Sequence, residues 1–294
     1  MDTNQFADGL HGLRNPVQPL IRIVQFLYLT GPFTTIAEVL AELQEPIETN
    51  AIHYPDPREA LSPFLSILQE FERLKDPGGA APPYRIFDQE NTPVDGMEAM
   101  NLRVSHQIIC RELEQINSQL CGPCGCALCC VGPGRELRQD FFEIPLSAKE
   151  AENFPLPAFD TWESRQTTPY ADTILQVHGR PFYEGEPTLL HWQTGWSLIL
   201  PKEQSCPHLE PTHRSCQIYP QRPEVCRRPQ IFSYLLERRP QDNAIHNGQT
   251  IEAFTWQNRL LAIWDCPYVK QFQAEIAAYA ELCEMEPIFK KNKE

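Results

Sequence analysis

The run CGPCGCALCC, residues 121–130, places Cys121, Cys124, Cys126, Cys129 and Cys130 in one short segment. Five thiols so close cannot all be quiet core side chains. A Cys-x-x-Cys pair can aim both sulfurs at one point, as a tetrahedral metal or an iron–sulfur cluster requires. Gly122, Pro123 and Gly125 are expected to keep this segment a tight loop with backbone amides pointing at sulfur. A second set follows, Cys206, Cys216 and Cys226, with nine residues in each gap. The chain therefore advertises a metal–thiolate site fed by two remote stretches.

The thiol count bounds that site without closing it. One zinc or one four-iron cluster takes four protein ligands, whereas the two sets hold eight of the eleven cysteines. Two sites, one polynuclear site, or one site with spare redox thiols all fit the spacing. Cys266-Pro267 repeats the Cys206-Pro207 step, so Cys266 joins the ligand pool. The cofactor is expected to be an iron–sulfur cluster of the 4Fe-4S type or zinc, the plainer reading being a zinc knuckle that staples loops. His208 and His213 lie within the second set and could replace a thiolate, although loop histidines of this kind more often sit at the surface. Residues 206–240 carry six arginines against three glutamates. Positive neighbours favour thiolate, and Arg222 and Arg227 are assigned to cofactor binding; the plainer alternative is an ion pair with Glu224.

Composition narrows the class. The 294 residues are 41% hydrophobic and 22% charged, as in a soluble globular protein. The net charge of −14 argues against a free-standing nucleic-acid binder. Residues 1–95 carry six Lys/Arg against fourteen Asp/Glu, so their winged-helix-like outline is read as a protein-interaction or packing surface, with no nucleic-acid partner. PLIRIVQFLYL, the most apolar early stretch, is too short to span a bilayer and contains Arg22 and Gln25, so no membrane partner is expected. MDTNQFADG shows no basic segment followed by an apolar run, and a cytoplasmic location is expected. There, clustered cysteines bind metal more often than they form disulfides.

Periodicity supplies the organisation. Val17, Leu20, Ile21, Val24 and Leu27 share a helical face; Thr35 and Glu38 form a capping box; a further helix opens at Asp56-Pro57 or Ser62-Pro63. DPGGAAPP (76–83) punctuates the chain before the strand-like YRIFD. From Met97 to Leu120 a helix carries Leu102, Ile109, Leu113, Ile116 and Leu120 on one side and runs into the first cysteines. FFEIPL, TILQV and TGWSLIL read as strands and SAKEAENF as a short helix. FSYLLERR and IEAFTWQNRLLAIW fit strand or helix, and Tyr268–Met285 an amphipathic helix. Cys110, Cys283 and the tryptophans Trp192, Trp196, Trp256 and Trp264 are assigned to packing. The expected fold is α+β: a helical N-terminal region over 1–95 and a mixed, loop-rich cysteine-cluster domain over 96–294.

The spaced pattern resembles the YkgJ-type cysteine-cluster family of zinc- or iron-chelating domains. The resemblance rests on Cys121-x-x-Cys124 and Cys129-Cys130, the stretch FFEIPLSAKEAENF, then Cys206-Pro207-His208-Leu209, Cys216-Gln217-Ile218-Tyr219 and Arg222-Pro223-Glu224-Val225-Cys226-Arg227. It covers about residues 118–270, with Cys126 an extra thiol beyond the family spacing. It implies metal binding, with an iron–sulfur centre and a redox or electron-transfer role as the leading expectation and a zinc-stabilised scaffold as the alternative. One branch is similar to flagellin lysine methylases, which implies a protein methyltransferase as a third reading. Against that reading, Gly132-Pro133-Gly134 is a lone turn, not a cofactor loop, and the Cys-x-x-x-Cys-x-x-Cys spacing of radical enzymes is missing.

Overall fold

The longest helix, Gly96–Cys124, carries the chain from the N-terminal core into the first cysteines. The computed structural model describes residues 3–49, 51–75, 82–212, 214–228, 230–246 and 249–291. The chain forms two compact units. One combines Met1–Leu120 with Gln230–Lys291, and the other is built on Cys121–Pro229. These units are drawn differently from a split at residue 95, because the long helix does not break there and residues 230–291 return to the first unit.

In the first unit the apolar spacing does what the sequence predicts. Helix Gln18–Thr30 buries Leu20, Ile21, Val24 and Tyr28. The capping box forms, with Thr35 accepting from the Glu38 amide and Glu38 reaching back. Asp56 caps Pro57–Leu61 by accepting from the Glu59 amide, while Ser62-Pro63 opens only a short 3-10 turn. Proline lacks the amide a longer helix would need there. Of the DPGGAAPP segment, residues 76–81 lie outside the described residues.

The same unit holds a sheet centred on the long strand Gln249–Ile263. Ile231–Arg238 pairs with it antiparallel; Glu286–Lys290 and Tyr84–Phe87 pair with it parallel. Both ambiguous segments are thus strands, as their aromatic and branched content favours. Tyr268–Met285 is not one helix. Pro267–Gln271 and Gln273–Leu282 are separated at Phe272, and Glu284 leaves the second helix in the left-handed region, with φ 57°. The Met285 amide then donates to the Ala280 carbonyl at 2.8 Å.

Where the chain returns at Gln230, one buried side chain fixes it. Asn117, 1% exposed, accepts from the Gln230 and Ile231 amides, each at 3.1 Å, and from the Tyr268 hydroxyl at 2.8 Å. Its Nδ2 donates to the Ile231 carbonyl at 2.6 Å. One helical residue thereby satisfies groups from two later elements.

The second unit holds a four-stranded sheet in the order Phe141–Leu146, Gly195–Pro201, Thr188–Trp192, Ala158–Phe159. Alternation sends Leu189, Leu198 and Leu200 to one face, and Leu190, Trp192 and Ile199 to the other. Cys206 and Ile218 pack on the first face. Of TILQV only Gln176–Val177 is strand, paired with Arg180–Pro181. Trp192 is buried as expected, whereas Trp196, Trp256 and Trp264 are only half-buried. Cys283 is buried; Cys110 is half-buried beside His106, 3.8 Å from Nε2, and is not a core residue. Among the described residues no helix is long and apolar enough to cross a membrane.

Two stability predictions follow from this packing. Replacing Asn117 with the similarly sized Leu leaves buried amide and carbonyl groups without partners. It should lower unfolding stability by on the order of 3 kcal/mol, read by denaturant titration. Glu112 is buried; it accepts from the Val17 amide at 3.0 Å and from the Tyr279 hydroxyl at 2.6 Å. Burial outweighs these bonds and raises its pKa from 4.5 to about 7. The folded chain keeps a proton on Glu112 that the unfolded chain gives up. Its contribution is therefore complete below pH 4.5 and is lost as pH rises through about 7. Glu112→Gln should flatten the decline in stability across that window, whose slope is at most about 1.4 kcal/mol per pH unit.

Candidate metal centre

The first Cys-x-x-Cys is helical, not a loop. Cys121 and Cys124 occupy the last turn of the long helix, where residues three apart share a face. Pro123 is accommodated inside that turn. The chain turns only at Gly125, with φ 61°, and a 3-10 turn over Leu128–Cys130 presents the Cys-Cys pair.

Backbone hydrogen bonds join the two cysteine runs. The Cys206 amide donates to the Cys130 carbonyl at 2.7 Å and the Gly132 amide to the Gln204 carbonyl at 2.8 Å; Val131 and Ser205 form a bridge between these bonds. At Gly132 any Cβ would run into the Pro201 carbonyl oxygen, so the close approach of the strands requires glycine here. In the sequence Gly132 looks like part of a lone turn, because the carbonyl it meets is remote.

The arms of the second set are tied to each other and to the sheet. Leu209–Glu210 pairs with Ser215–Cys216, placing Cys216 opposite Leu209, and Arg214 turns the ribbon at φ 53°. The short Glu224–Arg227 helix carries Cys226. Its first amide, Glu224, donates to Glu150 Oε1 at 2.7 Å. Glu150 is also the capping-box partner of Ser147, so one carboxylate closes two helix starts. The Ser147-x-x-Glu150 pattern was visible in the sequence; its second task was not. His208 Nε2 bonds the Asn153 carbonyl at 2.8 Å, and its ring lies 4.9 Å from that of Phe154. The acidic stretch after FFEIPL therefore anchors two of the three arms, and His208 serves as an anchor. His213 lies outside the described residues.

Cys129 is the electrostatic hub. Its thiol lies with those of Cys126 and Cys130 in its own run, and ionised it would oppose ionisation of Cys121, Cys206, Cys216 and Cys226. Sulfurs from both runs thus share one neighbourhood. Cys124 is buried, and Cys266 is buried in the other compact unit, at the start of Pro267–Gln271. Among the described residues no three His, Cys, Asp or Glu side chains already stand in a coordination arrangement.

The charges around the thiols compete. Burial raises Cys121 to about 11 and Cys226 to about 12, and it raises Cys206 and Cys216 as well. The hydrogen bond with Cys130, then burial, push Cys129 up furthest. Opposing this, Arg222 lowers Cys121, Cys216 and Cys226, and hydrogen-bonds the Cys121 sulfur. The guanidinium is buried at 7% exposure, lies 3.8 Å from the centre of the Tyr219 ring and donates to the Tyr219 carbonyl at 3.3 Å. Glu224 pairs with Arg228. Arg227 is half-buried. Backbone amides also point at sulfur, though at the second run: His208 and Leu209 donate to Cys206, and Ile218 to Cys216.

The donor set fits a thiolate-bound metal. Burial raises the pKa of Cys121, Cys129, Cys206, Cys216 and Cys226, while amides and one arginine are placed to stabilise their ionised forms. A bound cation supplies the charge that takes the protons off.

A comparison with protein families returned the CxxCxxCC model, described as "Putative zinc- or iron-chelating domain", over residues 120–259. Neither the curated proteins nor the solved structures gave a match. The matched span holds the clamp, the hub and both cysteine runs. Residues 120–259 thus match the CxxCxxCC domain model, the YkgJ-type group that the spacing resembles.

Proposed function

We propose that the metal bound by this domain is an iron–sulfur cluster, and that the protein acts in electron transfer or another redox role with a protein partner. The observation that supports this is the set of donors aimed at sulfur: the His208, Leu209 and Ile218 amides and the Arg222 guanidinium. A cluster of thiolates and sulfides carries net negative charge. Hydrogen bonds to its sulfurs are the means by which a protein holds it and tunes its potential. The Cys121, Cys129, Cys130, Cys206, Cys216 and Cys226 side chains form the ligand pool nearest those donors. Cys124, Cys126 and Cys266 complete the set proposed from sequence.

A zinc-stabilised scaffold is the second reading, and the construction of the arms favours it. Cys216 lies on a two-residue strand, Cys226 on a four-residue helix and Cys130 in a 3-10 turn. Elements this short gain little from their own hydrogen bonds, and a structural zinc contributes folding energy directly to such loops.

Metal and acid-labile sulfide analysis of anaerobically purified protein separates the two. Iron with matching sulfide and a brown colour from sulfur-to-iron charge transfer is the expected result. Stoichiometric zinc without sulfide would overturn the iron–sulfur reading and leave the scaffold. The clamp gives a second expectation. Gly132→Ala forces Cβ into the Pro201 carbonyl and should cut metal content severalfold, whereas Gly134→Ala meets only the flexible end of Glu136 and should load normally. Equal metal content in the two variants would show that the clamp does not assemble the site.

A further inference from the structure

The turn between Cys216 and Cys226 holds a pair of side chains that the thiols alone do not account for. Tyr219–Gln221 forms a 3-10 turn, closed by the Gln221 amide donating to the Ile218 carbonyl at 2.8 Å. In such a turn residues three apart eclipse, so Tyr219 and Arg222 stand on the same side. Pro220 lies in the turn and Pro223 directly follows Arg222. Each proline fixes its own φ and restricts the residue before it, so the sequence Tyr-Pro-Gln-Arg-Pro presets this stretch of backbone.

The stack that results is close. The Arg222 guanidinium carbon lies 3.8 Å from the centre of the Tyr219 ring, and Nε of Arg222 donates to the Tyr219 carbonyl at 3.3 Å. One residue therefore grips the arginine twice. Arg222 is only 7% exposed. A charge taken this far from water needs fixed partners, and an aromatic face is a strong one where water is excluded.

The far end of the same ring reaches the first cysteine run. A Cβ at Gly122 would stand 3.1 Å from the Tyr219 hydroxyl oxygen and 3.4 Å from the ring carbon that bears it. Gly122 lies in the last helical turn, between Cys121 and Cys124. The ring is thus lodged against the Cys121 turn while its face carries the arginine that bonds the Cys121 sulfur. Ring, guanidinium and thiol form one chain of contacts that spans both cysteine runs.

We propose that Tyr219 is a positioning residue of the metal centre: its ring face holds the Arg222 guanidinium on the thiolates, so that retention of the metal depends on an aromatic ring at 219 acting through Arg222. The ring face carries the effect and the hydroxyl is secondary. The proposal rests on the reading of these thiols as a metal centre, and not on whether iron or zinc fills it.

Loss of the bound metal from the anaerobically purified full chain to excess EDTA, followed by elemental analysis, tests this and reads iron and zinc alike. Arg222→Gln should lose metal about tenfold faster than the native chain and Tyr219→Leu about fivefold faster, while Tyr219→Phe stays within about twofold of native. The double variant carrying Tyr219→Leu and Arg222→Gln should lose metal no faster than Arg222→Gln alone, because the ring acts only through the arginine. A ring that merely packed would multiply the two effects. If Tyr219→Leu does not fold, pentafluorophenylalanine in place of Tyr219 keeps the shape of the ring and reverses the charge of its face. That chain should lose metal about threefold or more faster than Tyr219→Phe. Native retention in Tyr219→Leu, multiplied effects in the double variant, or equal rates for the two phenylalanine rings would overturn the proposal. Zinc without sulfide in the native chain would overturn the iron–sulfur reading and leave these comparisons unchanged.

Discussion

The site depends on a short backbone clamp. The Cys206 amide bonds the Cys130 carbonyl at 2.7 Å, the Gly132 amide bonds the Gln204 carbonyl at 2.8 Å, and Val131 and Ser205 bridge between them. Cysteine runs separated by a whole sheet are held together by these few bonds and by the missing side chain of Gly132. Everything chemical about the domain follows from that closeness. It sets Cys129 among thiols of both runs, and it brings the Arg222 charge to bear on Cys121, Cys216 and Cys226 together.

The electrostatics then divide the work between protein and metal. Desolvation wins over Arg222 at every thiol it reaches, so the frame alone keeps the sulfurs protonated. Such a pocket gains its anionic form only with a cation present, which makes metal affinity and proton release two sides of one equilibrium. The amides at Cys206 and Cys216 are already in place for that event and need no rearrangement. The scaffold that holds them is the Ser147–Phe154 stretch, through Glu150 on the Glu224 amide and through the Asn153 carbonyl on His208.

Much of this was legible because it is local. The capping box at Thr35 and Glu38, the inward face of the long helix and the strands FFEIPL and TGWSLIL each rest on a period or a motif of a few residues. The convergence of the two cysteine runs was readable from chemistry, since lone thiol clusters have few other uses. What escaped is non-local or a matter of degree. The last turn of the long helix absorbs Pro123 and takes Cys121 and Cys124 with it, which glycine and proline content alone argued against. The return of residues 230–291 to the N-terminal unit is fixed by Asn117, an ordinary helical residue until its partners arrive from a hundred residues away. Gly132 looked like turn punctuation because its contact, the Pro201 carbonyl, is remote in sequence. The break at Phe272 and the strand after Glu284 were hidden by a continuous apolar pattern that suits two short helices as well as one long one.

The account stands most directly on whether sulfurs of both runs bind the same metal. Metal-edge X-ray absorption on the native chain, and on a variant with Cys206, Cys216 and Cys226 all replaced by Ser, measures this. The account predicts a sulfur first shell in the native protein that loses sulfur neighbours in the variant. A sulfur shell of undiminished number after the second run is removed would contradict it.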